Sequence, residues 1–149
     1  MNKLLVLIIV LFVVGWVMYD SWQPTGNENE IKSSVEVIID TKQDIIVVDT
    51  PLKDMTISSP FVVSGKARGY WFFEASFPIE LRDMQGNILE TIIAQADGDW
   101  MTTEFVQFTA SLIFTKPSVP ISAVLVFKKD NTSGLPENDD SIEIPVTIQ

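Results

Sequence analysis

The chain contains no cysteine and no histidine among its 149 residues. Those two absences remove disulfides, thiolate nucleophiles, Ser-His-Asp and Cys-His machinery and the usual zinc ligand sets. The missing cysteine after the N-terminal apolar run also removes a lipid-anchored lipoprotein, and a cysteine-free exported domain is stabilised by its core alone. Basic residues are scarce, 10 against 20 acidic. One of the basic residues, Lys3, precedes the apolar run, so the remainder is strongly anionic and repels phosphate backbones and anionic headgroups; the charge argues against nucleic-acid binding. No apolar stretch after residue 22 is long enough to cross a bilayer.

What is present begins with an unbroken apolar run from Leu4 to Tyr19. As a helix it spans roughly 24 Å, and roughly 28 Å if extended to Trp22, close to the ~30 Å hydrocarbon core of a membrane. Trp16, Tyr19 and Trp22 fall at its far end at a spacing of three, the position of an aromatic belt. The exit reads Val-Met-Tyr-Asp-Ser-Trp, with no small-residue cleavage step, so residues 1–22 are expected to remain as a signal anchor. Lys3 before the run and Asp20, Glu28 and Glu30 after it place the N-terminus in the cytoplasm and the rest outside. Localisation is thus expected at the cytoplasmic membrane, single-pass, through residues 4–22. Residues 23–44, with Pro24, Gly26 and scattered acids, read as a polar linker; Val35 to Ile39 within it has the character of an accessory strand.

Residues 45–149 suffice for one small domain with one core, and two domains are excluded on size. Period-two alternation dominates them. Val106, Phe108, Ala110, Leu112 and Phe114 face one way, and Gln107, Thr109 and Ser111 the other. Ile142, Ile144, Val146 and Ile148 form a second such set, with Pro145 marking an edge position. Phe61, Val63, Gly65 and Ala67 form a third, Gly65 allowing close approach of two sheets, and Phe73, Ala75, Phe77, Ile79 and Leu81 form a fourth. Asp83 to Asn87 is a hairpin turn into Ile88–Ala94. Seven strands are predicted at 45–48, 61–67, 73–82, 88–94, 105–114, 121–127 and 141–148. Their spacing, without a helical period between them, predicts an all-β fold, an immunoglobulin-like two-sheet sandwich preceded by one N-terminal transmembrane helix. The 68–72, 95–104 and 128–140 connections are expected at one end, together with the incoming linker.

That end carries the candidate contact residues. Tyr70, Trp71 and Phe72, with Phe73, come from one loop, and Trp100 and Met101 from the next. Exposed, such a cluster marks a protein or glycan contact, since aromatic side chains supply large area at low entropic cost. The competing reading makes Trp71 and Phe73 a plug for the open end of the sandwich, with Tyr70 and Phe72 outside. Acids collect there too: Asp97 and Asp99 from one loop, Asp130, Glu137, Asp139 and Asp140 from another. They offer an alternative Ca²⁺ site, although the spacing is not that of an EF-hand; the competing reading is a solvated turn. Glu74 and Glu80 lie six residues apart, roughly 20 Å along a strand, too far for a glycosidase pair. Glu74 is expected to pair with Arg68 or Lys66.

The order and spacing of several short pieces resemble one known family. They are Ser59-Pro60 with Val63, Gly65 and Ala67; Phe73-Glu74-Ala75; Asp83 and Gly86 in the hairpin; and the closing Ile144-Pro145-Val146. Over Ile45 to Ile148 the chain resembles the bacterial spore germination immunoglobulin-like domain. The resemblance implies a sandwich outside the cytoplasmic membrane, no catalytic residue and no cofactor. Two functions fit: a non-enzymatic anchored module engaging an envelope protein or polymer through its loop end, or a structural spacer assembling through the exposed edges of the first or last strand.

Overall fold

A computed structural model describes residues 42–149. The expected anchor over 1–22, the accessory strand over 35–39 and almost all of the linker lie outside the described residues. Among the described residues no helix is long and apolar enough to cross a membrane.

The domain is all β, with eight strands: β1 (Ile46–Thr50), β2 (Met55–Ile57), β3 (Phe61–Arg68), β4 (Ser76–Asp83), β5 (Ile88–Asp97), β6 (Phe105–Leu112), β7 (Ile121–Lys128) and β8 (Ser141–Ile148). They follow one continuous ladder in the order β1-β3-β6-β5-β4-β7-β8-β2. The ladder folds over at β5, which pairs with β4 along its length but with β6 only at Gln95–Asp97. Two layers result, and the rings between them show that they pack face to face. Phe108 of β6 meets Phe77 of β4 edge-on at 4.9 Å between centroids, and Phe127 of β7 lies at 6.2 Å, although neither β4 nor β7 is a ladder neighbour of β6. The two expected sheets are therefore joined through one shared strand.

The alternating sequences do what their period dictates, sending every second side chain to the core. Val106, Phe108, Ala110, Leu112 and Phe114 are all buried, as are Ile142, Ile144, Val146 and Ile148. The Asp83 hairpin forms as expected. Its carboxylate accepts from the backbone N–H groups of Gln85 and Asn87 and from the Asn87 amide, while Gly86 takes φ +86°.

Three expectations change. The strand predicted from residue 73 begins at Ser76, because Phe73 and Ser76 exchange backbone hydrogen bonds across a two-residue turn with Glu74 and Ala75 both at positive φ, 49° and 61°. Such turns carry left-handed central residues and reverse the chain at once. Phe73 and Ala75 therefore leave the core set. Next, β8 is an edge strand only in part: the short β2 covers Val146–Ile148 in parallel and leaves Ser141–Ile144 with β7 as its one partner strand. Pro145 is tolerated for a local reason: its carbonyl accepts from Asp54 N, so its absent N–H also points away from β7 and no β7–β8 rung is lost. Of the two edges expected for assembly, the last strand keeps Ser141–Ile144 open and the first keeps the outer side of β1. Lastly, a Cβ on Gly65 would meet Val47 O at 2.3 Å and the Phe108 ring at 2.8 Å, so the glycine admits its own neighbouring strands, not the opposite layer.

On the outer face of β4, Glu80 is 8% exposed, with Arg82 and Lys128 (3.1 Å) both bonded to its carboxylate. Burial acts to raise its pKa, but the hydrogen bonds and charges of Arg82 and Lys128 outweigh burial and hold the carboxyl below the usual range.

Candidate functional site

Three loops meet at one end, as the strand order requires. Gly69 N donates to Glu104 O (3.1 Å), Asp130 N donates to Trp71 O (3.1 Å), and Phe73 touches Trp100 edge-on at 6.5 Å. The described chain enters at the same end. Lys42 pairs with Asp140 and donates to Ser141 O (3.0 Å), and Arg68 Nε donates to Asp44 O (2.9 Å).

Residues 69–71 form a single 3-10 turn, which breaks the in-out alternation of extended chain. Two consecutive rings consequently turn inward. Trp71 is fully buried and Phe72 nearly so, the latter edge-on to Phe77 at 5.2 Å. Trp71 is the plug of the competing reading and not a contact residue, while Phe72 and Phe73 exchange their expected places: Phe72 is buried, and Phe73, expected as plug, is 41% exposed. Tyr70 (53% exposed) and Met101 (77%) lie outside, and Trp100 is half-buried against the core cluster. The surface set is therefore Tyr70, Phe73, Trp100 and Met101. Trp71 Nε1 is buried without a hydrogen-bond partner among the described residues.

The two aromatic loops are held together by the absence of a side chain. A Cβ on Gly69 would fall 2.0 Å from Thr102 O and 2.3 Å from Trp100 O, so only glycine lets the second loop settle. Between them lies a shallow groove of ≈ 370 Å³ lined by Gly69, Tyr70, Trp100, Met101, Thr102 and Thr103. Arg68 braces its flank: the guanidinium stacks on Phe105 at 4.1 Å, donates to Thr103 O (3.2 Å) and faces Glu104 (3.7 Å). Its ion-pair partner is thus Glu104, where Glu74 was expected.

The acids of this end are engaged in shaping loops. Asp99 accepts from Met101 N, Asp139 from the Asn131 amide, and Asp140 is paired with Lys42. Asp97, Asp99, Asp130, Glu137, Asp139 and Asp140 are not gathered, and no cluster of three or more metal-ligating side chains occurs among the described residues.

An eight-stranded all-β domain whose first two strands lie in different layers, β1 beside β3 and β2 beside β8, and in which three loops meet at one end belongs to the immunoglobulin-like class. The family model of the immunoglobulin-like domain of bacterial spore germination matches residues 45–134, and the chain belongs to that family. No match was found among curated proteins or among solved structures.

Proposed function

We propose that this chain is a non-catalytic, membrane-anchored binding module outside the cytoplasm. Its loop end engages an envelope protein or polymer. The observation that carries the reading is the exposed set Tyr70, Phe73 and Met101 around Trp100, displayed on a loop pair that Gly69 locks in place. Rigid aromatic groups on a fixed platform lose little entropy on binding, which is the character of interface anchors. The apolar run of residues 4–22 supplies the anchor. The described chain begins at the loop end, where Lys42 pairs with Asp140. The anionic composition disfavours headgroup insertion, so the reading favours a membrane-protein partner.

Two experiments test this. Full-length chain should stay with membranes after alkaline washing, and a chain lacking residues 1–22 should be released. Partners retained by the full-length protein in detergent extracts should be lost on combining Tyr70→Ala with Met101→Ala, with the thermal midpoint unchanged. Retention of the same partners by that folded variant would refute the loop-end reading.

A further inference from the structure

The fold-over that makes the sandwich leaves one long strand edge uncovered. β5 pairs with β4 from Ile88 to Gln95 with a bulge at Leu89, yet β6 covers only Gln95–Asp97, so Ile88–Ala94 has a partner strand on one side alone. The direction of its backbone groups follows from two observations. Ala96 N donates to Ala75 O, so Gln95 and Asp97 are the residues turned toward β6. Counting back by two, Thr91 and Ile93 turn the same way, beyond the point where β6 has departed. Accordingly, Thr91 N meets no strand and is bonded by its own neighbour, the Glu90 carboxylate, at 3.1 Å.

The other edges carry the usual protections, the open part of β8 an exposed Glu143 and Pro145, whereas the bulge of β5, at Leu89, lies before the Glu90–Ala94 stretch. β2 is three residues long, and β1 is five residues long with an irregular register at Val48/Thr50 and an exposed Asp49. The open part of β5 has neither lysine nor proline, and it exposes Ile88, Leu89 and Ile93. Within it, Glu90-Thr91-Ile92-Ile93-Ala94 suits antiparallel pairing with itself about a two-fold axis at Ile92. Thr91 then faces Ile93 of the other copy, and Ile93 faces Thr91, so the outward N–H and C=O groups of all four residues are satisfied. Ile92 meets Ile92 at the close, non-hydrogen-bonded position. The one acid, Glu90, falls opposite Ala94, and the two Glu90 residues stay roughly 13 Å apart at ~3.3 Å per residue. No like charges meet across the seam despite the anionic composition of the chain.

We infer that Glu90–Ala94 of β5 is a homodimerisation edge that joins two copies of this chain into one continuous sheet with a two-fold axis at Ile92. The edge is separate from the aromatic loop end, and the inference does not depend on what that end binds. Glu90 acts as its guard in the free chain, occupying the Thr91 N–H until the other strand displaces it.

The absence of native cysteine makes the test clean. Full-length Ile92→Cys, oxidised in membranes, should form a covalent homodimer, and adding Ile93→Lys should cut the yield at least tenfold. Because Ile92 is half-buried, a second design keeps the test independent of that position. Thr91→Cys chains mixed with Ile93→Cys chains should give mixed dimers at least tenfold in excess of either self-dimer, as the register demands. The inference is overturned if the folded variants stay monomeric, if Asp49→Cys or Thr56→Cys on the other edges dimerises equally well, or if β5 captures a different protein.

Discussion

Replacing Gly69 by alanine should dislodge the loop that presents Trp100 and Met101. The new Cβ would sit 2.0 Å from Thr102 O and 2.3 Å from Trp100 O, both backbone atoms that no rotamer change can move. An ordinary carbon–oxygen contact is about 3.3 Å, so the 99–103 segment must retreat by about 1.3 Å. Overpacking of that kind costs about 1–3 kcal/mol. The retreat also loosens the bond from Gly69 N to Glu104 O, worth about 0.5–1.5 kcal/mol. The sum, about 2–4 kcal/mol, lowers the midpoint of a domain this size by roughly 10–20 °C. Urea titration with near-ultraviolet circular dichroism measures both the loss and the altered Trp100 surroundings. Gly134→Ala provides the comparison, since its φ is +67° with nothing within 4 Å, and only the left-handed cost of about 1 kcal/mol applies. A Gly69→Ala protein as stable as the parent, with an unchanged aromatic spectrum, would refute the lock between the two loops.

Other perturbations separate the roles of neighbouring residues. Trp71→Ala, which empties a fully buried site, should cost about 3–5 kcal/mol in urea unfolding, whereas Tyr70→Ala should stay within about 0.5 kcal/mol of the parent. Ala75→Gly should stabilise the domain by about 1 kcal/mol, as φ 61° suits glycine, and a calorimetric midpoint that falls would contradict this. Glu80 has a depressed folded pKa, so its stabilising contribution is complete above the unfolded value near 4.5 and is lost as pH falls through the folded value. Glu80→Gln should therefore be less stable than the parent at pH 7, and the difference should shrink on acidification; a constant difference down to pH 2 would show that the ion pairs with Arg82 and Lys128 do not stabilise the fold.

The readable parts of the fold were those governed by a single period. β3, β6 and β8 alternate strictly because one face meets the core and the other meets water, and the Asp83 turn announces itself through Asp and Gly. The convergence of three loops at one end followed from strand direction alone. Where the chain changes period within a few residues, alternation misled: the 3-10 turn at Gly69–Trp71 and the tight turn at Glu74-Ala75 exchange the places of Phe72 and Phe73. Glu80 shows another limit. Nothing local marks it for near-burial on an outer sheet face, because the residue that helps cover it, Lys128, is 48 positions away. β2 escaped notice because three residues between turns carry no period, yet it covers the C-terminal end of the β8 edge. The open edge of β5 was equally invisible, since which strand lies beside which is a property of the folded ladder.

The most direct test of the central claim is photo-crosslinking in intact cells of the full-length chain. A crosslinking residue is placed at Tyr70, at Met101 or, at the opposite end, at the exposed Met84. A discrete adduct shared by positions 70 and 101 and missing at 84 is the predicted result. Adducts from position 84 alone, or none from the loop end, would contradict it.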